Sequence, residues 1–216
     1  MSPRRFRYGL VALALIGGGA LLYLIRQASA ARPAAVTIDP VGVVTFTIGS
    51  AQAPIEVWEG SDYQCPDCSR FEVEAMPDIR RRFIETGRVR WRYLLFALPN
   101  HAEAVPATHA MACALEQGQA KALVVHGGLF ATQPEWSKSA DHRTVFRRVA
   151  AGAGLDLGAY DACMESNRYA AAVAKSWREA QRVGIPGTPT VLLYKRFYVG
   201  GLTANQLERV LTQPPE

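Results

Sequence analysis

Cys65-Pro66-Asp67-Cys68 stands between an apolar run, Ile55-Glu56-Val57-Trp58-Glu59, and a helical pattern carried by Phe71, Met76, Ile79 and Phe83. Two cysteines separated by two residues at the start of a helix hold their sulfurs within bonding distance. The first lies on the exposed first turn, so the pair can close a disulfide or open to a dithiol. The N–H groups at a helix N-terminus favour negative charge, and the Cys65 thiol is expected to ionise more readily than a free one. Pro66 suits the first turn, where its missing N–H is no loss. The competing reading is half of a zinc site, which needs two more ligands at metal spacing. Cys113 and Cys163 are isolated in sequence and no histidine forms a C-x-x-H arrangement, so the redox reading is taken, with no metal and no cofactor expected.

Outward from this motif, the segment Val41 to Ile48 is β-branched and apolar, and with Ile55–Glu59 it reads as two short strands. The helix begun at Cys65 stops at Gly87, and Pro77 predicts a kink within it. Arg88 to Phe96 alternates polar with apolar residues and then turns fully apolar, as expected of a strand with one partly wet face. His101 to Gly184 is helical text cut by glycines, Pro134 and Asn167 into four or five helices. Thr190 to Tyr194, a turn at Lys195-Arg196, and Phe197 to Val199 form a hairpin. A final amphipathic helix is capped by Thr203 and carries Leu207, Val210 and Leu211. The order predicts an α/β sheet interrupted by an all-helical insertion.

The 216 residues, 49% apolar and 20% charged, fit one globular domain plus an appendage and exclude collagen-like and wholly disordered classes. The net charge of +5 is concentrated at the N-terminus, where Arg4, Arg5, Arg7 and Arg26 face no acid within residues 1–30. The remainder carries 24 − 4 = 20 basic against 19 acidic side chains. A body at +1 lacks the concentrated basic footprint of a phosphate-tracking groove, and no nucleic acid partner is expected. The early arginines, the uncharged stretch 8–25 and Ala28-Ser29-Ala30 read as a secretory leader or a retained membrane anchor, residues 1–30, followed by a linker and leading strand over 31–47. Export to a periplasm, or to the outer face of the cytoplasmic membrane, follows from the positive end staying inside. Membrane contact is expected only through this N-terminal segment.

Ser61-Asp62-Tyr63-Gln64-Cys65-Pro66-Asp67-Cys68 with Phe71-Glu72, the distant Gly184-Ile185-Pro186-Gly187-Thr188-Pro189-Thr190, and the middle segments Ala112 to Gly118 and Tyr160 to Cys163 together resemble the DsbA-like thiol:disulfide oxidoreductases of the thioredoxin superfamily. The resemblance runs from about Ile48 to Leu211. It implies a thioredoxin-like fold over 48–216, a central mixed sheet flanked by helices, with an inserted all-helical domain at about 99–176. It also implies an attacking Cys65, a resolving and more buried Cys68, a cis-proline at Pro189 facing the disulfide, and a buried acid at Glu59. A Gly-Thr-Pro-Thr turn before an apolar strand is itself compatible with a cis bond, which would expose the Thr188 backbone to an incoming extended client. Glu59 is read either as a proton donor and acceptor for Cys68 or as a strand-end glutamate in water.

In an oxidising compartment Cys113 and Cys163 are expected to form a structural disulfide, contributing about 3 to 4 kcal/mol. Two free buried thiols or an electron relay to the CxxC are the alternatives. His101, His109, His126 and His142 are scattered and read as surface or helix-packing residues, and the four tryptophans as packing. Asp67 departs from the histidine common in strongly oxidising members, and its negative charge is expected to repel the Cys65 thiolate. The direction of electron flow therefore stays open. Oxidation of dithiols in cysteine-containing exported clients, with a membrane redox partner, is the first reading; isomerase or reductase is the second. A redox-inactive binding or chaperone module is the reading from a different class.

Overall fold

Strand β2 (Ile55–Ser61) lies at the centre of a five-stranded sheet with β1 (Thr45–Ile48), β3 (Val89–Leu95), β4 (Thr190–Leu193) and β5 (Arg196–Val199), in the order β1-β3-β2-β4-β5. The computed structural model describes residues 37–214; the expected leader, the stretch 8–25 and the linker around Arg32–Ala35 lie outside them. β3 runs parallel to β2, and the other pairs are antiparallel. A parallel neighbour demands a crossover, which the helix after Cys65 supplies. Every residue from Val57 to Ser61 is buried, as a central strand covered on both faces requires. Gly60 serves that packing, because a Cβ there would lie 3.0 Å from the Ile185 side chain and 3.2 Å from the Phe96 ring.

The crossover helix α1 is a continuous run of four segments, Pro66–Arg70, Phe71–Ala75, Met76–Ile79 and Arg80–Ile84, of which the second and fourth are π-helical. Pro77 has no N–H to offer the preceding turn, and the wider turns on either side of its segment absorb the defect without ending the helix. The expected interruption is thus distributed along the helix. Its inner face buries Cys68, Phe71, Met76, Ile79 and Phe83, with Phe71 stacked at 6.4 Å on Trp91 of β3. Burying each such side chain contributes roughly 1.5–3 kcal/mol.

Between β3 and β4 run α2 (Ala104–Leu115), α3 (Gln119–Ala131), the single turn α4 (Gln133–Trp136), α5 (His142–Gly152), α6 (Leu157–Ser166) and α7 (Ala170–Val183). Helix α8 (Ala204–Thr212) closes the described chain, with Thr203 and Gln206 forming a reciprocal capping box. Among the described residues no helix is long and apolar enough to cross a membrane.

Two boundaries differ from the sequence expectation. β1 begins at Thr45 instead of Val41, because Gly42 turns the chain at φ 66° and the Val44 N–H is taken by Ser176 Oγ at 2.8 Å. The hairpin turn is Tyr194-Lys195, one residue earlier than expected, with φ 51° and 63°; two successive left-handed residues make the tight two-residue turn that pairs Leu193 with Arg196.

Candidate active site

Cys65 occupies the N-cap of α1 in an extended conformation, with Pro66 opening the first turn. Cys68, one turn on, is fully buried and Cys65 is 6% exposed; both are thiols in this structure. Opposite them the Thr188–Pro189 bond is cis, and the Cys65 thiol donates to the Thr188 carbonyl at 3.4 Å. The sulfurs differ in electrostatics. A hydrogen bond from Cys68 pulls the Cys65 thiol down to about 6 against the opposing effect of burial, aided by the Thr188 side chain and the Cys68 and Asp67 backbone N–H groups. Burial, then the bond and charge of Cys65, push Cys68 well up. At neutral pH one sulfur is a nucleophile and its neighbour holds a proton.

Asp67 has a charge partner that its sequence position does not show. Its carboxylate is more than half exposed and paired with Arg70 at 2.7 Å, so water and a guanidinium screen it, while its backbone N–H supports the thiolate.

Glu59 lies in the buried stretch of the central strand β2, with no exposed surface. One carboxylate oxygen accepts from Trp91 Nε1 at 2.9 Å; the other is buried without a hydrogen-bond partner. Burial above all, then the charge of Glu72, raises its pKa well above the ordinary range. A carboxyl in such a place keeps its proton at pH values where a solvated glutamate has lost it.

A model of the family described as Thioredoxin matches residues 43–213. The chain belongs to the thioredoxin family. It is 22% identical over 163 residues to a probable disulfide bond formation protein D of Bacillus anthracis, covering 74% of this chain and 71% of the relative. Its fold is similar to that of oxidised BdbD from Bacillus subtilis, with a TM-score of 0.71, 20% identity, and 82% and 94% of the two chains covered. DsbA of Chlamydia trachomatis gives a TM-score of 0.66 at 21% identity, over 77% and 88% of the chains. Its fold is thus that of BdbD and DsbA.

In this thioredoxin-family chain Cys113 of α2 and Cys163 of α6 are joined in a disulfide, with Cα atoms 5.8 Å apart. The fold also brings His109 beside them, its ligand atom and the two sulfurs within 4.8 Å of one another. Sequence spacing hides this trio, since 50 positions separate the cysteines. With both sulfurs bonded to each other, the imidazole is left as a single ligand, and it contacts the Cys163 carbonyl at 3.3 Å.

Sequence reasoning missed a second set of residues around the site. His126, read as helix packing, is fully buried among Phe46, Tyr63, Tyr93 and Phe130, with Nδ1 2.8 Å from Tyr63 Oη and Nε2 3.0 Å from Glu72. Burial pushes Glu72 up, but His126 and Arg80 more than offset it and leave the carboxyl lowered. The signal available was Glu72 itself, four residues after Cys68 and therefore on the same helix face. Gln133 of α4 donates to the carbonyls of Tyr63 (2.6 Å) and Cys65 (2.9 Å), tying the active-site turn to the helical block. Gln64 reaches the other way, accepting from the backbone of Glu103 and donating to Ser137 O. No sequence pattern announces either amide, because their partners are backbone atoms distant in sequence.

Proposed function

We propose that this DsbA-like protein is an exported thiol:disulfide oxidoreductase that donates a Cys65–Cys68 disulfide to cysteine pairs in secreted or cell-envelope proteins. The observation that carries this reading is the asymmetry of the pair: a thiolate stabilised to a pKa of about 6 beside a buried thiol pushed up. A stabilised Cys65 thiolate favours the reduced enzyme, and a protein whose reduced form is favoured gives its disulfide away.

In the proposed reaction a client thiolate attacks Cys65 Sγ. The Cys65–Cys68 bond breaks, the electron pair leaves on Cys68, and Cys68 takes a proton from Glu59. The client's second thiolate then attacks its own sulfur in the mixed disulfide and expels the Cys65 thiolate. The client is oxidised by two electrons and the enzyme is reduced by two. The Thr188 backbone beside the cis bond pairs with the extended client while its sulfur meets Cys65. Pro66 and the Asp67 backbone hold the turn, and the Cys113–Cys163 bridge clips the helical insertion at about 99–176 as a structural element. Residues 1–30 act as leader or anchor, and a membrane redox partner reoxidises the pair.

The test mixes oxidised full-length protein with a reduced, unfolded two-cysteine client. Appearance of one client disulfide per Cys65/Cys68 dithiol formed is the expected result. Failure to oxidise that client, with reduction or reshuffling of a disulfide-bonded one, would replace donation by a reductase or isomerase role. No exchange in either direction would leave a binding module.

A further inference from the structure

We propose that the Ser61 hydroxyl is the proton relay between the Glu59 carboxyl and the Cys68 sulfur. Glu59 and Ser61 are alternate residues of β2 and so project to the same face, both with no exposed surface. Each holds a buried oxygen without a hydrogen-bond partner, Glu59 Oε1 and Ser61 Oγ. Two orphaned oxygens on one face are unusual in a folded interior, where nearly all buried polar atoms are paired. Cys68 Sγ rests on the same stretch, where the Asp62 backbone N–H and the Ser61 hydroxyl act on it. The Ser61 hydroxyl acts on Glu59 as well, and it is the group common to both environments. A hydroxyl both donates and accepts, which a relay requires and an N–H lacks.

When the Cys65–Cys68 bond breaks, Cys68 leaves as a thiolate. The Ser61 Oγ proton passes to Cys68 Sγ as the Glu59 proton passes to Ser61 Oγ. The products are a Cys68 thiol, a Glu59 carboxylate and an unchanged serine; reoxidation runs the same transfers backwards. The other charges facing Glu59 are Glu72 and Arg80 of α1, and Glu72 is held by His126 of α3; Tyr63 and Tyr93, both with raised pKa, line the same region. The inference rests on the reading of Glu59 as the proton donor and acceptor for Cys68.

The experiment adds the coloured aromatic disulfide 5,5′-dithiobis(2-nitrobenzoate) to the reduced protein and follows released thiolate by stopped flow across pH. The first phase reports attack by Cys65, and the second, independent of reagent concentration, reports attack by Cys68 on the Cys65 mixed disulfide. Ser61→Ala is expected to leave the first phase unchanged and to slow the second by about a hundredfold near neutral pH, the low end for a lost proton-transfer group. Glu59→Gln should slow the second phase similarly, and the double variant should be no slower than Glu59→Gln alone. Ser61→Thr, which keeps the hydroxyl, should recover the second phase. A Ser61→Ala second phase within twofold of the parent, with Glu59→Gln slow, overturns the relay and leaves Glu59 in place. If Glu59→Gln is also fast, the Glu59 reading itself fails.

Discussion

Cys65 and Cys68 share one helical turn and remain thiols, whereas Cys113 and Cys163 come from helices 50 positions apart and are joined. All four are buried, so burial alone does not distinguish them. The difference is in what surrounds the sulfur. At Cys65 a neighbouring thiol, the Thr188 side chain and two helix N–H groups converge on one atom and stabilise its charge. At the second pair burial lowers the His109 pKa, and Glu116 is held by Arg168 and Tyr169. A reactive cysteine is made by donors aimed at it, and a structural one by their absence.

The strongest way to break this contrast is to exchange the nucleophiles. Cys65→Ser should reduce dithiol oxidation to background, while Cys68→Ala should accumulate mixed disulfides with clients, read by non-reducing electrophoresis. Equal trapping by both variants would remove the division of labour. Next in size, Cys113→Ala with Cys163→Ala should cost about 3 to 4 kcal/mol in denaturant unfolding, from the lost constraint on the unfolded chain, with client oxidation unchanged. Loss of turnover without loss of stability would place that bridge in the electron path.

Glu59→Gln sharpens the comparison through pH. Because the folded carboxyl titrates above the unfolded one, its contribution is fully present below the unfolded pKa and is lost as pH rises through the folded pKa. The glutamine variant should therefore match the parent near pH 4 and gain on it as pH rises, by up to about 1.4 kcal/mol for each unit between the two pKa values. A constant difference between pH 4 and 8 would show that Glu59 is not held protonated. The smallest effect is expected of Asp67→His: with its charge already screened by Arg70, the Cys65 pKa should move by less than about one unit. A larger drop would restore the repulsion inferred from the sequence.

Much of this was legible in the sequence because it is local. The spacing of Cys65 and Cys68, Pro66 at the first turn and the alternation of Arg88–Phe96 each determine structure over a few residues, and the sheet and helical block followed from their order. What was not legible depends on distant partners. Glu59 reads equally well as wet or buried until α1 covers it, and His126 looks incidental until Phe46, Tyr93 and Phe130 enclose it. The surroundings of Asp67 include Arg70, three residues on, and its own backbone N–H aimed at Cys65, neither of which its charge alone reveals.

The most direct test of the two-pair account is a glutathione redox titration of the intact protein, with each cysteine's state read by alkylation and mass spectrometry. The account predicts that Cys65 and Cys68 open to the dithiol in mildly reducing mixtures while Cys113 and Cys163 stay linked until far more reducing conditions. Both pairs opening together, or Cys113–Cys163 opening first, would contradict it.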